Sequence, residues 1–413
     1  MNDSKQNVNF IFKNRACKIK VESSFFTNDI YFRVYGEEEK YNFGFFNGSA
    51  GLVRYKDDKK TSSTKYNLLG RFLALDNTTK DNGIQKIRDF FDDFGFLFII
   101  PKGHEDSIAY NDILDLVRRI SCTVQLYNQL KSGTDHEQIL IALLRLIYAP
   151  NVNIETDYSI YRSYIHAIKS ALGLYKRSED FGSWNIINDE ENSDDHRDKF
   201  YSISPVIRKK SEEENNFEQD QKNILEHNLE EDNSFFAEID SNEELKRPGL
   251  DDQSLKRISE AYKHSKDYDE VTFRSLRFLF RYYRDVGIIK GISTDNKLKY
   301  YSDPCLENFT DEKKNELIWI AKQILVDEIN YNLSGIRVIY DPDDHKHDIR
   351  IDTLLEALYY SLANYEQNNT ILKQCPTCHE FFETTITKTN KKYCSKICQN
   401  RRPGKNKLPD ELK

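Results

Sequence analysis

The sequence predicts an α+β protein that is mostly helical: an N-terminal β-rich portion, a helical body with an acidic insertion, and a C-terminal four-cysteine zinc finger. Three observations carry this. Short runs of aromatic and β-branched residues fill the first sixty positions. From Ile84 onward apolar residues recur at helical spacing. Near the C-terminus, Cys375-Pro-Thr-Cys378 and Cys394-Ser-Lys-Ile-Cys398 bracket fifteen residues, the pattern a tetrahedral zinc site needs.

Composition bounds the rest. With 413 residues, 38% of them hydrophobic, the chain can bury two or three cores, which excludes wholesale disorder. Its formal net charge of −8 offers no whole-molecule attraction for nucleic acid, so any such binding must come from local patches. The polar start, Met1 to Asn9, has no signal-peptide core. The richest apolar run, Ile139 to Ile147, is interrupted by Arg145 and is too short for a membrane span. The expectation is a cytoplasmic protein with no membrane partner. Cys17, Cys122 and Cys305 are scattered, as reduced thiols would be.

In order along the chain, Asn9–Phe12, Cys17–Val21, Ile30–Tyr35 and Tyr41–Phe46 read as short strands separated by turns at Lys13-Asn14 and Gly36-Glu37. This β-rich portion covers 1–60. A helical domain over 84–176 follows. Ile84, Ile87, Phe90, Phe91 and Phe94 share a face, as do Ile113, Leu114, Val117, Ile120, Val124 and Tyr127. Between these helices, Gly95 to Pro101 reads as a buried strand or connection. A helix capped by Asp135 is apolar nearly all round, and a further helix is expected over Asp157–Tyr175. Residues 177–253 lose periodicity and gain acidic runs such as Glu230-Glu231-Asp232. They read as a flexible acidic insertion or linker with two apolar islands, Phe200-Tyr-Ser-Ile203 and Phe235-Phe-Ala-Glu-Ile239.

A second helical domain covers 254–370. Its strongest helix, from Asp269 to Val286, sets Arg274, Arg277, Arg281 and Arg284 on one face. Four aligned cations repel one another unless something anionic faces them. Phosphate backbone, the acidic insertion, or acids on neighbouring helices would serve. Thr310 caps the next helix and Thr353-Leu-Leu-Glu356 is a capping box. Between them lies Asp341-Pro-Asp-Asp-His-Lys-His-Asp348, which reads as a polar loop or as ligands for a divalent ion.

The finger with its basic tail covers 371–413. Cys375 and Cys378 lie on a tight turn, and Cys394 and Cys398 lie one turn apart on a short helix, so Cys375, Cys378, Cys394 and Cys398 can hold one structural Zn2+. Four thiolates close the coordination shell and leave no position for catalysis. Phe381, Phe382 and Tyr393 read as the finger's small core, with base stacking as the alternative. From Thr384 to Pro409 there are eight Lys/Arg and no acid.

The elements Cys375-x-x-Cys378-x-x-Phe381-Phe382 and Lys392-Tyr-Cys-Ser-x-x-Cys-Gln-Asn-Arg401 resemble the CGNR-type zinc finger of bacterial transcription regulators, over about residues 350 to 407. This chain has Gln399 where that pattern has Gly. What the resemblance implies is DNA binding, with Lys388, Lys391, Lys392, Lys396, Arg401, Arg402, Lys405 and Lys407 contacting phosphates. The leading expectation is a nucleic-acid-binding protein, a transcription regulator whose finger, with the arginine stripe, binds DNA or RNA. The helical body would sense a ligand or form a homo-oligomer, and no catalytic residue is assigned. Two other classes stay open: a stress- or phage-defence nuclease using the Asp341–Asp348 segment, and a finger with a structural or protein-docking role.

Overall fold

The first sixty residues form long strands where shorter ones are expected. β1 (Phe10–Ser23) and β2 (Ile30–Phe45) pair antiparallel along most of their length. The computed structural model describes residues 10–23, 30–45, 52–55, 64–76, 80–133, 135–172, 227, 229–241, 247–265, 268–293, 295–341, 346–367, 369–388 and 390–400. After β3 (Leu52–Tyr55) and β4 (Thr64–Tyr66) come α1 (Leu68–Leu73), α2 (Lys80–Phe94), β5 (Glu105–Ala109), α3 (Tyr110–Ser132) and α4 (His136–Tyr148). A hairpin of β6 (Asn153–Glu155) and β7 (Ile160–Arg162) is followed by α5 (Ala167–Ala171), α6 (229–240), α7 (Gln253–Lys263) and α8 (Glu270–Asp285). The hairpin of β8 (Ile289–Ile292) and β9 (Leu298–Tyr300) precedes α9 (Asp311–Asn332). Then follow β10 (Arg337–Asp341), β11 (Lys346–Ile351), α10 (Leu354–Gln367), β12 (Thr370–Gln374), β13 (Phe381–Thr385) and α11 (Lys396–Asn400). The result is a mixed α+β protein, mostly helical. The chain divides into two compact units, Met1–His166 with Ala321–Lys413, and Ala167–Ile320.

The first unit contains a seven-stranded sheet in the order β10-β11-β1-β2-β3-β4, with β5 also on β2. β1 runs parallel to β11, from Phe10 opposite Ile349 to Phe12 opposite Ile351, and the other pairs are antiparallel. Strands from three regions of the chain thus build one sheet. Lys13-Asn14 makes no turn: register shifts between Asn14 and Cys17 absorb it within β1. Gly36-Glu37 also lies inside a strand. A Cβ at Gly36 would meet the carbonyl oxygens of Ile100 and Pro101, and its own N–H donates to the His104 carbonyl at 2.9 Å. This glycine permits close backbone approach instead of a turn.

The expected helix over Asp157–Tyr175 also gives way. Thr156 and Ser159 close a hydroxyl-bonded turn, Ile160–Arg162 pairs with β6, and only Ala167–Ala171 is helical. Hydrogen bonds of Ser159 and Ser163 to Thr156 and Val152 outcompete a weak helical pattern. Elsewhere local signals set the elements. Asp135 accepts from Gln138 N at 3.2 Å, and Thr353 and Glu356 bond each other's backbone N–H at 3.2 and 3.1 Å.

At the centre of this unit is a fully buried ion pair. Arg119 of α3 donates through Nε to Glu328 of α9 at 2.8 Å and through Nη2 at 2.6 Å, and both side chains are 0% exposed. Arg119 also bonds the carbonyls of Pro150 and Tyr164, and Tyr359 of α10 donates to Glu328 Oε1 at 3.1 Å. His166 Nε2 stands 3.2 Å from Glu328 without hydrogen-bond alignment. Burial would push the Glu328 carboxyl up, but Arg119 and then His166 outweigh it and hold it at about 2.

In the second unit, α6 occupies part of the stretch expected as a linker. Its Phe235 and Phe236 pack on Phe280 of α8 with ring centroids 5.0 and 4.5 Å apart. The other apolar island, Phe200 to Ile203, lies outside the described residues.

The Arg119–Glu328 pair generates a prediction. Glu328→Gln leaves a buried guanidinium without its counter-ion and is expected to cost about 3–5 kcal/mol in urea unfolding. Because the folded-state carboxyl is held below its ordinary 4.5, its contribution is complete above that pH and is lost as pH falls toward 2. The variant should lose that limb of the pH–stability profile, and an unaltered profile would contradict the assignment.

Candidate metal centre

The C-terminal cluster is built on a hairpin. β12 and β13 pair from Thr370 opposite Thr385 to Gln374 opposite Phe381, which places Cys375-Pro-Thr-Cys378 at the tip. The Cys375 N–H donates to the Glu380 carbonyl at 2.9 Å and the His379 N–H to the Cys375 carbonyl at 2.8 Å, with His379 in the left-handed region at φ 58°. Ser395 accepts from Cys398 N at 3.2 Å and so starts α11, bringing Cys394 and Cys398 to one side.

The four Sγ atoms lie within 4.8 Å of one another. Cys378 and Cys394 are 3.6 Å apart and Cys394 and Cys398 3.4 Å. A disulfide needs about 2.05 Å. A tetrahedron with metal–sulfur bonds of about 2.3 Å has sulfur–sulfur edges of about 3.8 Å. The spacing fits four ligands around one ion, so the cluster could hold a metal ion.

The electrostatics agree. Burial would raise the Cys375 thiol, yet backbone N–H groups of Cys394, Cys378 and Thr377 aim at it and hold it at about 6. At Cys378 the Glu380 N–H favours the thiolate, but burial and the neighbouring Cys394, Cys375 and Cys398 thiols push it up to about 12. Burial and then Cys398 raise Cys394 as well. The Cys375 thiolate forms readily here, while Cys378 and Cys394 resist a second like charge until a cation joins them.

The hairpin is fixed to its unit. The Asn128 side-chain amide of α3 donates to the Leu372 carbonyl at 2.7 Å and accepts from Leu372 N at 3.2 Å, as a paired strand would. Tyr127 donates to the Thr370 carbonyl at 3.0 Å, and Tyr365 of α10 to Glu383 at 3.2 Å. Phe382 is buried, with Lys391 over its ring at 5.1 Å, which supports a core role for that aromatic.

The expected basic residues divide. Lys391, Lys392 and Lys396 are exposed and line one cavity of about 420 Å³ with Asn390, Tyr393, Ser395 and Gln399. Lys388 ends the short turn after β13, and only its backbone is described. Arg401, Arg402, Lys405 and Lys407 lie outside the described residues.

The arginine stripe has internal counter-ions. Arg274 donates to Glu316 at 2.7 Å and to Glu270 at 3.2 Å, and stacks 3.7 Å from the Trp319 ring centroid. Arg277 lies 3.5 Å from Glu316. Arg281 meets Asp232 at 3.0 Å and Glu231 at 3.1 Å, and Arg284 meets Asp232 and Asp285. Glu231 and Asp232 of the acidic run thus face the stripe, with Asp232 0% exposed. Alignment of these four residues needs no external anion.

Of the segment read as a polar loop or as ligands for a divalent ion, Asp341 ends β10 while Lys346, His347 and Asp348 begin β11; Pro342, Asp343, Asp344 and His345 lie outside the described residues. The finger's anchors, Tyr127 and Asn128, escape sequence reasoning because their partners lie 243 and 244 positions away. No helix among the described residues is long and apolar enough to cross a membrane. No family model, curated protein or solved structure matches the chain, so the resemblance to CGNR-type fingers rests on the cysteine and basic pattern alone.

Two substitutions separate anchoring from metal binding. Asn128→Ala strands the Leu372 N–H and C=O and is expected to cost about 1–3 kcal/mol in thermal unfolding with bound metal unchanged. Cys394→Ser is expected to abolish stoichiometric metal by elemental analysis. Metal retained in Cys394→Ser would contradict the ligand set.

Proposed function

We propose that the chain binds nucleic acid through a zinc-stabilised basic finger, in the manner of a regulator that contacts DNA. The observation that carries this reading is the convergence of Lys391, Lys392 and Lys396 on one groove beside the four-cysteine cluster. Zinc suits four thiolates at these spacings, and when bound it supplies structural cross-linking and charge neutralisation. The chain's own residues do the rest. Cys375 and Cys378 hold the hairpin tip, Cys394 and Cys398 hold α11, and the lysines between the pairs are displayed on a surface that cannot roam. Phosphate contacts by such lysines fix register on a backbone without reading bases.

A second reading, in which the finger only staples the C-terminal segment, is favoured by the bonds from Tyr127 and Asn128 to β12. Salt titration separates the two. Fluorescence anisotropy with a duplex DNA and a single-stranded RNA should show affinity falling steeply with salt. Arg401→Ala with Arg402→Ala, and separately Lys391→Ala with Lys392→Ala, should weaken binding and lower the log–log slope by about 1.8 on duplex DNA for two lost contacts. Unchanged affinity and slope in both double variants would sink the nucleic-acid reading and leave the staple.

A further inference from the structure

The short helix α11 sorts its residues by side. At about 100° per residue, Lys396, Gln399 and Asn400 share one arc, and Cys398 falls on the far side with the cysteine cluster. No residue of α11 is buried; Lys396, Gln399 and Asn400 are exposed, and Ile397 is 63% exposed. The helix is therefore held by its cysteine side and its backbone rather than by an apolar stripe. Ser395 caps it at Cys398 N, and the Thr377 hydroxyl of the hairpin tip donates to the Cys398 carbonyl at 3.1 Å. Among the described residues no hydrogen bond or ion pair occupies the side chains of Lys396, Gln399 or Asn400. Lys396 and Gln399 line the same groove as Lys391 and Lys392.

We propose that α11 reads base edges in the major groove of duplex DNA, with Gln399 and Asn400 selecting adenine. The inference rests on the nucleic-acid reading of the finger and adds the kind of nucleic acid taken and the residues that set its sequence. A side-chain carboxamide carries a donor and an acceptor side by side. It matches the N6 amino group and N7 of adenine, a pattern unique to that base in the major groove. Ile397 borders the same side of the helix and suits a thymine methyl group. Size selects the duplex. A helix with its side chains is about 10–12 Å across and enters the B-form major groove, about 12 Å wide, whereas the deep, narrow major groove of A-form RNA excludes it. Lys391 and Lys392 precede the helix at the rim of the groove, and no Asp or Glu lies between Thr384 and Asn400 to repel phosphate. The lysines thus supply affinity and the two carboxamides supply choice.

Selection from random-sequence duplexes by the full chain with zinc present, followed by fluorescence anisotropy on the enriched duplex, tests it. The wild-type chain should enrich a site containing adenine, and replacing that A·T pair by G·C should weaken binding about ten-fold. Gln399→Ala and Asn400→Ala should each erase the discrimination at the base they read. Neither residue carries charge, so affinity for a scrambled duplex, the salt slope and the bound zinc should stay at wild-type values. DNA binding without sequence preference overturns the inference and leaves the phosphate-contact reading standing. So does a preference that survives intact in both variants. Failure of the wild-type chain to bind any duplex at low salt overturns both.

Discussion

The buried Arg119–Glu328 pair is the constraint on which the first unit depends. Two ions removed from water carry a penalty of several kcal/mol each, and only a full set of partners offsets it. Here the guanidinium reaches Glu328 and the carbonyls of Pro150 and Tyr164, while Glu328 also takes Tyr359. These bonds tie α3, α9, α10 and the β6–β7 region to one another. The finger stands on two of those helices, on Tyr127 and Asn128 of α3 and Tyr365 of α10. The geometry of the cysteine corner is thus inherited from a charge network elsewhere in its unit.

Charge is distributed with the same economy in the second unit. A stripe of four arginines would repel itself on a bare helix, but Asp232, Glu231, Asp285, Glu270 and Glu316 close around it. Those carboxylates come partly from the acidic stretch that looks like a linker by composition. A chain of net charge −8 neutralises its internal cations with its own acids, while the segment from Thr384 to Pro409 has none.

What was legible in the sequence was what short-range physics decides. Asp135, Thr310 and the Thr353–Glu356 box announce helix starts because a cap needs only three or four residues. The cysteine pairs announce their cluster because ligand spacing is itself local. The pairing of β1 with β11 joins positions more than three hundred residues apart, and nothing near Phe10 signals it. Gly36 resembles a turn residue until the backbone at Ile100 and Pro101 is seen against it. Arg119 sits on the buried side of an apolar helix, a hint of a buried partner, but Glu328 lies 209 positions on.

Four close cysteines could hold a metal ion, and in the proposed reading that ion is a structural zinc beside the basic surface. X-ray absorption at the zinc edge of the protein as purified tests this most directly. The account predicts one zinc per chain with four sulfur neighbours at about 2.3 Å. Zinc-free protein, or a first shell containing nitrogen or oxygen, would contradict it.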